Sequence, residues 1–382
     1  MKSIGIFGST GSIGRNALHI AEAHSDEFHV TTLAAGSNVE ALAKQALKFR
    51  PTNLVVGNSD ALEPLTNCLG SEASDFTIFS GADGLREAAS DSVLNIVLNG
   101  VTGAQGLPVS LGALDQGTRL GLANKESMVM AGPLLFQLAA RTNAEIIPID
   151  SEHSALFQCL LTGNSSDVDR LIITASGGPF RERPLAEFPD ITVKEALKHP
   201  TWNMGPKITI DSATMMNKAL EIIEARWLFN VDADRIEVSV HPQSIVHSMV
   251  LWKDGSVISQ MGIPDMRVPI QYALTHPERL PATVNTWSPS AFDGLNFFEP
   301  DTERFTSLNL GFFAAREGGT YGAVLNAANE EAVNAFFANQ INFQDIFDKV
   351  AQVIERHQFI EVPTLEEILE SDRWAREEFA RC

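Results

Sequence analysis

Short apolar runs alternate with stretches in which apolar residues return every third or fourth position, and the pattern holds from Ile4 to Ile149. A short run bounded by turn residues reads as a buried strand, and the three-to-four spacing reads as an amphipathic helix. Strands are expected at Ile4–Phe7, Phe28–Leu33, Asn53–Val56, Thr77–Phe79, Val93–Leu98, Leu120–Ala123 and Glu145–Ile149. Helices are expected near Val39–Phe49, Ala61–Leu69, Leu85–Ala89, Leu107–Leu114 and Ser127–Arg141, and one more carries Ile13, Ala17, Leu18 and Ala21. Strict alternation of this kind predicts a parallel sheet with helices on both faces over residues 1–149.

The pattern changes after residue 150. Leu171–Thr174 reads as a strand running into Ser176-Gly177-Gly178, and Ile236–Val240, Ser244–Leu251 and Val257–Met261 read as antiparallel strands, with Asp254-Gly255 as a hairpin signal between the last two. A second α/β domain with a partly antiparallel sheet is expected over 150–276, and His241 and His247 read as structural within it. Pro277, Pro281, Pro289 and Pro300 mark residues 277–300 as a connecting segment. The rest, 301–382, is periodic at helical spacing and predicts a small α-helical domain.

Residues 199–224 combine two kinds of signal. A loop with His199, Trp202 and Lys207 leads into a helix, for which Asp211 or Ser212 is the expected N-cap. Met216, Leu220, Ile223 and Trp227 form one apolar stripe; Asn217, Lys218, Glu221 and Glu224 form a narrow polar one. Crowding of this stripe by paired Met and paired Ile predicts a buried polar site rather than a solvated face.

Composition narrows the function. A net charge of −20 without a basic stripe excludes nucleic acid as a partner, because phosphate neutralisation needs clustered cations. No apolar run approaches a membrane span. Cys68, Cys159 and Cys382 form no CxxC pair, and the chain enters its first strand without a leader, so a cytoplasmic protein is expected.

Gly8-Ser-Thr-Gly11-Ser-Ile-Gly14 lies between the first strand and the first helix, where a dinucleotide-binding (Rossmann-like) fold cradles a pyrophosphate. The second strand ends at Gly36-Ser37-Asn38 with no acid, which disfavours NAD and permits NADP. Lys125, beside Asn124 and Glu126 at another strand end, faces the same crevice. Asp150 and Glu152 project to one side if the backbone stays extended, and an oxygen-only pair suits Mg²⁺ or Mn²⁺. Capping of the following helix by Asp150 and Ser151 accounts for the same residues equally well. The Ser176-Gly-Gly turn is suited to present a hydroxyl and backbone N–H groups to a phosphate.

Together with Ala123-Asn-Lys-Glu126, Asp150-Ser-Glu-His153, Ala175-Ser-Gly-Gly-Pro-Phe180, His199-Pro-x-Trp-x-Met-Gly205, Lys207–Lys218, His241–Met249 and Asp265–Ala273, the glycine turn resembles the 1-deoxy-D-xylulose 5-phosphate reductoisomerase family nearly end to end. The resemblance implies that a ketose phosphate is rearranged to a branched aldehyde, which NADPH reduces to 2-C-methyl-D-erythritol 4-phosphate. It implies a metal site of Asp150, Glu152 and Glu221 for Mg²⁺ or Mn²⁺, with Co²⁺ also admissible. It implies substrate contacts from Lys125, Ser151, Ser176, His199, Ser212, Asn217 and Lys218, with His199 and Lys218 supplying positive charge. Thr10, Gly11, Ser12, Ile13, Gly36, Ser37, Asn38, Asn124, Glu126 and Gly205 would hold the cofactor, a lid at 199–207 would carry Trp202, and the chain would pair as a homodimer. Glu224 acquires no role and reads as a surface carboxylate. Departures from the family pattern are Ser37, where a base is common, and Pro206 and Ala219. The competing readings are another two-domain NADP-dependent dehydrogenase, which needs no carboxylate trio, and a non-catalytic NADP-binding regulator.

Overall fold

β1 (Lys2–Phe7) forms the middle of a seven-stranded sheet, and every residue from Ile4 to Phe7 is buried, as a strand covered on both faces requires. The computed structural model describes residues 1–202 and 204–382. From β1 the chain continues through α1 (Ser12–Ala23), β2 (Phe28–Ala35), α2 (Val39–Phe49), β3 (Asn53–Val56), α3 (Leu62–Leu69), β4 (Thr77–Ser80) and α4 (Gly81–Ala89). It then crosses to β5 (Ile96–Asn99) on the other side of β1 and goes on through α5 (Leu107–Asp115), β6 (Arg119–Leu122), α6 (Lys125–Thr142) and β7 (Ile146–Pro148). The strand order is β4-β3-β2-β1-β5-β6-β7, all parallel. Chain direction across the sheet therefore reverses between β1 and β5, and a crevice opens there at the C-terminal strand ends.

After α7 (Ser151–Leu160) comes β8 (Val168–Ala175), then α8 (Val193–Ala196), α9 (Pro206–Ala213) and α10 (Met216–Leu228), followed by β9 (Ile236–Val240), β10 (Val246–Trp252) and β11 (Val257–Met261). The second sheet has the order β11-β10-β8-β9. β10 is antiparallel to both its neighbours, and Gly255 with φ +85 closes the β10–β11 turn. β9, however, is parallel to β8, which corrects the reading of Ile236–Val240 as an antiparallel strand; the sheet as a whole is partly antiparallel, as expected. The connection from β8 to β9 runs through α8–α10, and a long helical crossover returns a strand in the same direction.

The expected single helix after residue 207 is also corrected. α9 begins with Pro206 at its first position behind Gly205, where a fixed φ and a missing N–H cost nothing. Asp211 and Ser212 therefore lie inside α9 and cap nothing. Met215, at φ +58, turns the corner into α10.

α11 (Arg267–Thr275) packs on α1, and the tail consists of α12 (Ser307–Glu317), α13 (Tyr321–Phe337), α14 (Phe343–Glu355) and α15 (Leu365–Phe379). Capping boxes at Asn342/Asp345 and Thr364/Glu367 start the last two helices. Two compact units result: Met1–Ser127, Pro133–Ser154 and Asp265–Asn285 make the first, and Met128–Gly132, Ala155–Pro264 and Thr286–Cys382 the second. The tail helices share one hydrophobic core with the mixed sheet. Contacts thus group residues across the boundaries at 149, 276 and 300, which divide the chain by element type. At the centre of that core, Phe343 meets Phe188 and Phe180 edge-on at 5.6 and 5.3 Å. Phe180 belongs to the loop after Ser176, so the core anchors that loop.

Candidate active site

In the first unit, β1 and β5 end side by side at Phe7 and Asn99. Gly8 takes φ +84, and a Cβ there would run into the Gly100 carbonyl, so the end of β1 does not tolerate a side chain at that position. Gly14 rests against the Ser9 backbone, where a Cβ would come 2.6 Å from the Ser9 carbonyl carbon. Gly11 is the N-cap of α1 and gives it no side-chain cap, which leaves the first-turn N–H groups for an anion; Thr10 and Gly11 lead into that turn, and Ser12 and Ile13 begin it. The turn is fixed from α2: Ser9 Oγ donates to Gln45 Oε1 at 2.7 Å, and Gln45 Nε2 donates to the Ser9 carbonyl at 2.9 Å. Gln45 carried no signal in the sequence, where it reads as an ordinary polar helix position.

Gly36, Ser37 and Asn38 are exposed at the tip of β2, and Asn38 caps α2 through Ala41 N–H. The Asn124 carboxamide is wholly engaged. It donates to the carbonyls of Val101 and Gly103 and to Glu126, and it accepts from Ser127. Any contact of Asn124 with a ligand falls to its backbone.

Lys125, the buried first residue of α6, forms a partly buried ion pair with Asp150 just beyond β7. The backbone does not stay extended after Asp150, contrary to the geometry first expected: α7 begins at Ser151. Asp150 Oδ1 accepts from the Glu152 N–H at 3.1 Å, and Ser151 Oγ donates to Glu152 Oε2 at 2.6 Å. Capping and carboxylate pairing therefore coexist, with carboxylate oxygens of Asp150 and Glu152 within 4.8 Å of one another. His153, fully buried, places Nδ1 3.6 Å from Asp150 Oδ1. Two acids this close need a cation between or beside them, and their all-oxygen donor set suits a hard divalent ion.

The second unit holds the polar stripe of α10. Glu221 is 0% exposed; Asn217 Nδ2 donates to its Oε1 at 2.6 Å and Lys218 pairs with its Oε2. The expected buried polar site is present. Glu224, read as a surface carboxylate, is only 3% exposed and belongs to the buried face. Packing explains the correction: α9, α12, α13 and β9 all lie against α10, so the helix has almost no solvated side.

Ser176 follows β8 at the head of the Gly177-Gly178 turn, where both glycines have positive φ and Ser176 Oγ accepts from Gly178 N–H at 3.2 Å. A Cβ on Gly178 would lie 2.6 Å from the Ser212 carbonyl, which brings the Ser176 turn directly against the end of α9. His199 Nε2 lies 3.0 Å from Ser176 Oγ, while its Nδ1 accepts the backbone N–H groups of Thr201 and Trp202 at 3.1 and 2.8 Å. Two donors into Nδ1 leave the ring proton on Nε2, so a neutral imidazole donates to Ser176. Burial pushes the His199 pKa down to about 4. The expectation that His199 supplies positive charge is thus corrected: it is a neutral donor near pH 7.

The folded pKa lies below the ordinary 6.5, so opening the segment takes up a proton between those values. Its docking is fully stable above about pH 6.5 and weakens as pH falls toward 4. A proton NMR titration is expected to show the His199 ring titrating near 4; a midpoint above 6 would contradict the arrangement.

The expected lid, 199–207, includes Asn203, which lies outside the described residues. Of the rest, Trp202 sits 6.2 Å from the His247 ring, Gly205 is exposed, and Pro206 and Lys207 already belong to α9. Ala219, where the family favours glycine, is accommodated from α12: Gly311 abuts it so closely that a Cβ there would lie 2.6 Å from Ala219 Cα.

Family models describe three stretches of this chain: residues 4–132 match 1-deoxy-D-xylulose 5-phosphate reductoisomerase, 146–229 match its C-terminal domain, and 261–378 match the DXP reductoisomerase C-terminal domain. The reductoisomerase of Chlorobium phaeovibrioides is 49% identical over 377 residues, covering 99% of this chain and 98% of its own. That of Pelotomaculum thermopropionicum is 49% identical over 98% of this chain and 97% of its own. Among solved structures, a DOX-P reductoisomerase in complex with NADPH, fosmidomycin and magnesium superposes with a TM-score of 0.93 at 39% identity, covering 100% of this chain and 98% of that one. The Zymomonas mobilis enzyme in complex with NADPH gives 0.91 at 38% identity with the same coverage. The glycine turn, the acids around Asp150 and the buried stripe of α10 thus sit in a chain that belongs to the 1-deoxy-D-xylulose 5-phosphate reductoisomerase family.

Proposed function

We propose that the chain converts 1-deoxy-D-xylulose 5-phosphate to 2-C-methyl-D-erythritol 4-phosphate with NADPH and a divalent metal ion, in the non-mevalonate supply of isoprenoid precursors. The observation that carries the site reading is the fully buried Glu221 carboxylate, bonded to Asn217 and Lys218 in a family member. Burial of charge is costly and is kept where chemistry uses it. Asp150, Glu152 and Glu221 would hold the ion; their oxygen-only donor set suits magnesium, and manganese equally.

When bound, the ion supplies Lewis acidity at the substrate oxygens whose charge grows as the carbon skeleton is rearranged, and NADPH supplies the hydride. The chain's own groups do the rest. Ser176, Ser212, Asn217 and neutral His199 offer hydrogen bonds to the phosphate, and Lys218 brings positive charge to it. Lys125 and Ser151 orient the polar end of the substrate beside Asp150 and Glu152. Trp202 covers the site and excludes water. Thr10, Gly11, Ser12 and Ile13 receive the pyrophosphate of NADPH; Gly36, Ser37 and Asn38 lie toward the ribose, and Asn124, Glu126 and Gly205 complete the cofactor contacts.

The test is NADPH oxidation in the presence of 1-deoxy-D-xylulose 5-phosphate. Oxidation is expected with Mg²⁺ or Mn²⁺, lost on chelation and restored by adding the ion back. Oxidation that persists in chelator would favour a metal-free dehydrogenase, and none with every component present would favour a regulator.

A homodimer in the cytoplasm completes the proposal. β11 is an edge strand with Val257 and Met261 exposed, a surface suited to pairing with a second copy, and light scattering at twice the chain mass is the expected result. The three free cysteines agree with a reducing compartment.

A further inference from the structure

The corner between α9 and α10 is held from the tail helices by two fully buried side chains, neither of which belongs to the proposed phosphate-binding set. Asn329 of α13 donates its amide to Asp211 Oδ1 at 2.8 Å, and Ser307 at the start of α12 donates its hydroxyl to the Thr214 carbonyl at 2.6 Å. We infer that Asn329 and Ser307 are positioning residues for substrate phosphate, acting through Asp211 and Thr214 on Ser212 and Asn217; this rests on the function proposed above.

Asp211 is 2% exposed, and its other oxygen, Oδ2, takes the Lys207 ammonium at 3.0 Å from the preceding turn of α9. The carboxylate is thus gripped from both sides, and the roll of α9 is fixed one residue before Ser212. The side-chain oxygen of Asn329 has no partner among the described residues, although it is buried. An amide in that state costs stability by itself, so its favourable contribution is the bond it donates. Ser307 acts at the other end of the corner. It bonds the carbonyl of the residue before Met215, whose left-handed φ is what turns α9 into α10 and sets where Asn217 points. The Ser212 carbonyl also lies against Gly178, two residues from Ser176. A shift of the corner would therefore move Ser212, Asn217 and the Ser176 turn out of register with a single phosphate.

The full-length chain with Asn329→Ala or Ser307→Ala is expected to show a KM for 1-deoxy-D-xylulose 5-phosphate raised about tenfold, because a binding interaction is loosened equally in ground and transition states. kcat should hold within about twofold and the KM for NADPH should not move, a split that general destabilisation does not produce. Calorimetric titration with inorganic phosphate needs no turnover. It should show about tenfold weaker binding in the variants than in wild type, so it reports on the corner even if the wild-type chain fails to oxidise NADPH. If Asn329→Ala does not fold, Lys207→Met releases the same carboxylate from its half-buried side and should give the same KM rise. Folded variants with unchanged substrate KM and unchanged phosphate affinity would overturn the inference, as would an equal loss in kcat with both KM values intact.

Discussion

Glu221→Gln is expected to leave NADPH binding intact and to lower kcat by about 10³-fold, the scale on which losing one electrostatic contact to a developing charge is felt. The glutamine keeps the shape of the side chain and one carbonyl oxygen, yet it removes the negative charge that the ion and Lys218 both require. NADPH binding is spared because the glycine turn, Gln45 and the tip of β2 lie in the other folding unit. The same substitution strips Lys218 of a counter-charge although that residue is only 3% exposed, so stability should fall by up to about 3 kcal/mol. Fluorescence titration of NADPH, steady-state rates and thermal melting read the three effects separately. Normal turnover would remove Glu221 from the site.

Gly14→Ala is the substitution expected to damage the fold most, and the neighbouring Gly11→Ala is its control. A Cβ at Gly14 would overlap backbone atoms of Gly8 and Ser9, which no side-chain rotation relieves. The turn must open, at a cost of about 3 kcal/mol or more, and NADPH affinity should fall at least about a hundredfold as the N–H groups lose their aim. At Gly11 the only close neighbour among the described residues is the Gly8 carbonyl at 3.3 Å and φ is −76, so alanine should cost less than about 1 kcal/mol. Equal losses in the two variants would show that backbone crowding is not what the last glycine serves.

The first unit was legible because its signals are local. A strand, a glycine turn and a helix announce themselves within a dozen residues, and alternation fixes the parallel sheet. The second unit was legible only in part. β9 runs parallel to β8 because the chain between them makes a helical crossover, and no short pattern in Ile236–Val240 records that direction. Nothing in a methionine forecasts a left-handed corner, so α9 and α10 read as one helix. Periodicity placed Glu224 correctly beside Glu221 but could not say that α9, α12, α13 and β9 would all pack on the helix and leave it almost no solvated side. His199 was found by its motif, whereas its neutrality depends on the two N–H groups that point into Nδ1 and on burial, both properties of the folded segment. Gln45, Ser307 and Asn329 lay outside every motif because they act by supporting backbone or a neighbouring acid, which leaves no spacing to detect.

Manganese binding followed by electron paramagnetic resonance tests the carboxylate assignment most directly. The wild-type chain should bind one Mn²⁺, and Asp150→Asn, Glu152→Gln and Glu221→Gln should each weaken that binding at least about tenfold while the folded state persists. Full-affinity binding in any one of the three variants would contradict the assignment of that carboxylate, and in all three it would place the ion elsewhere.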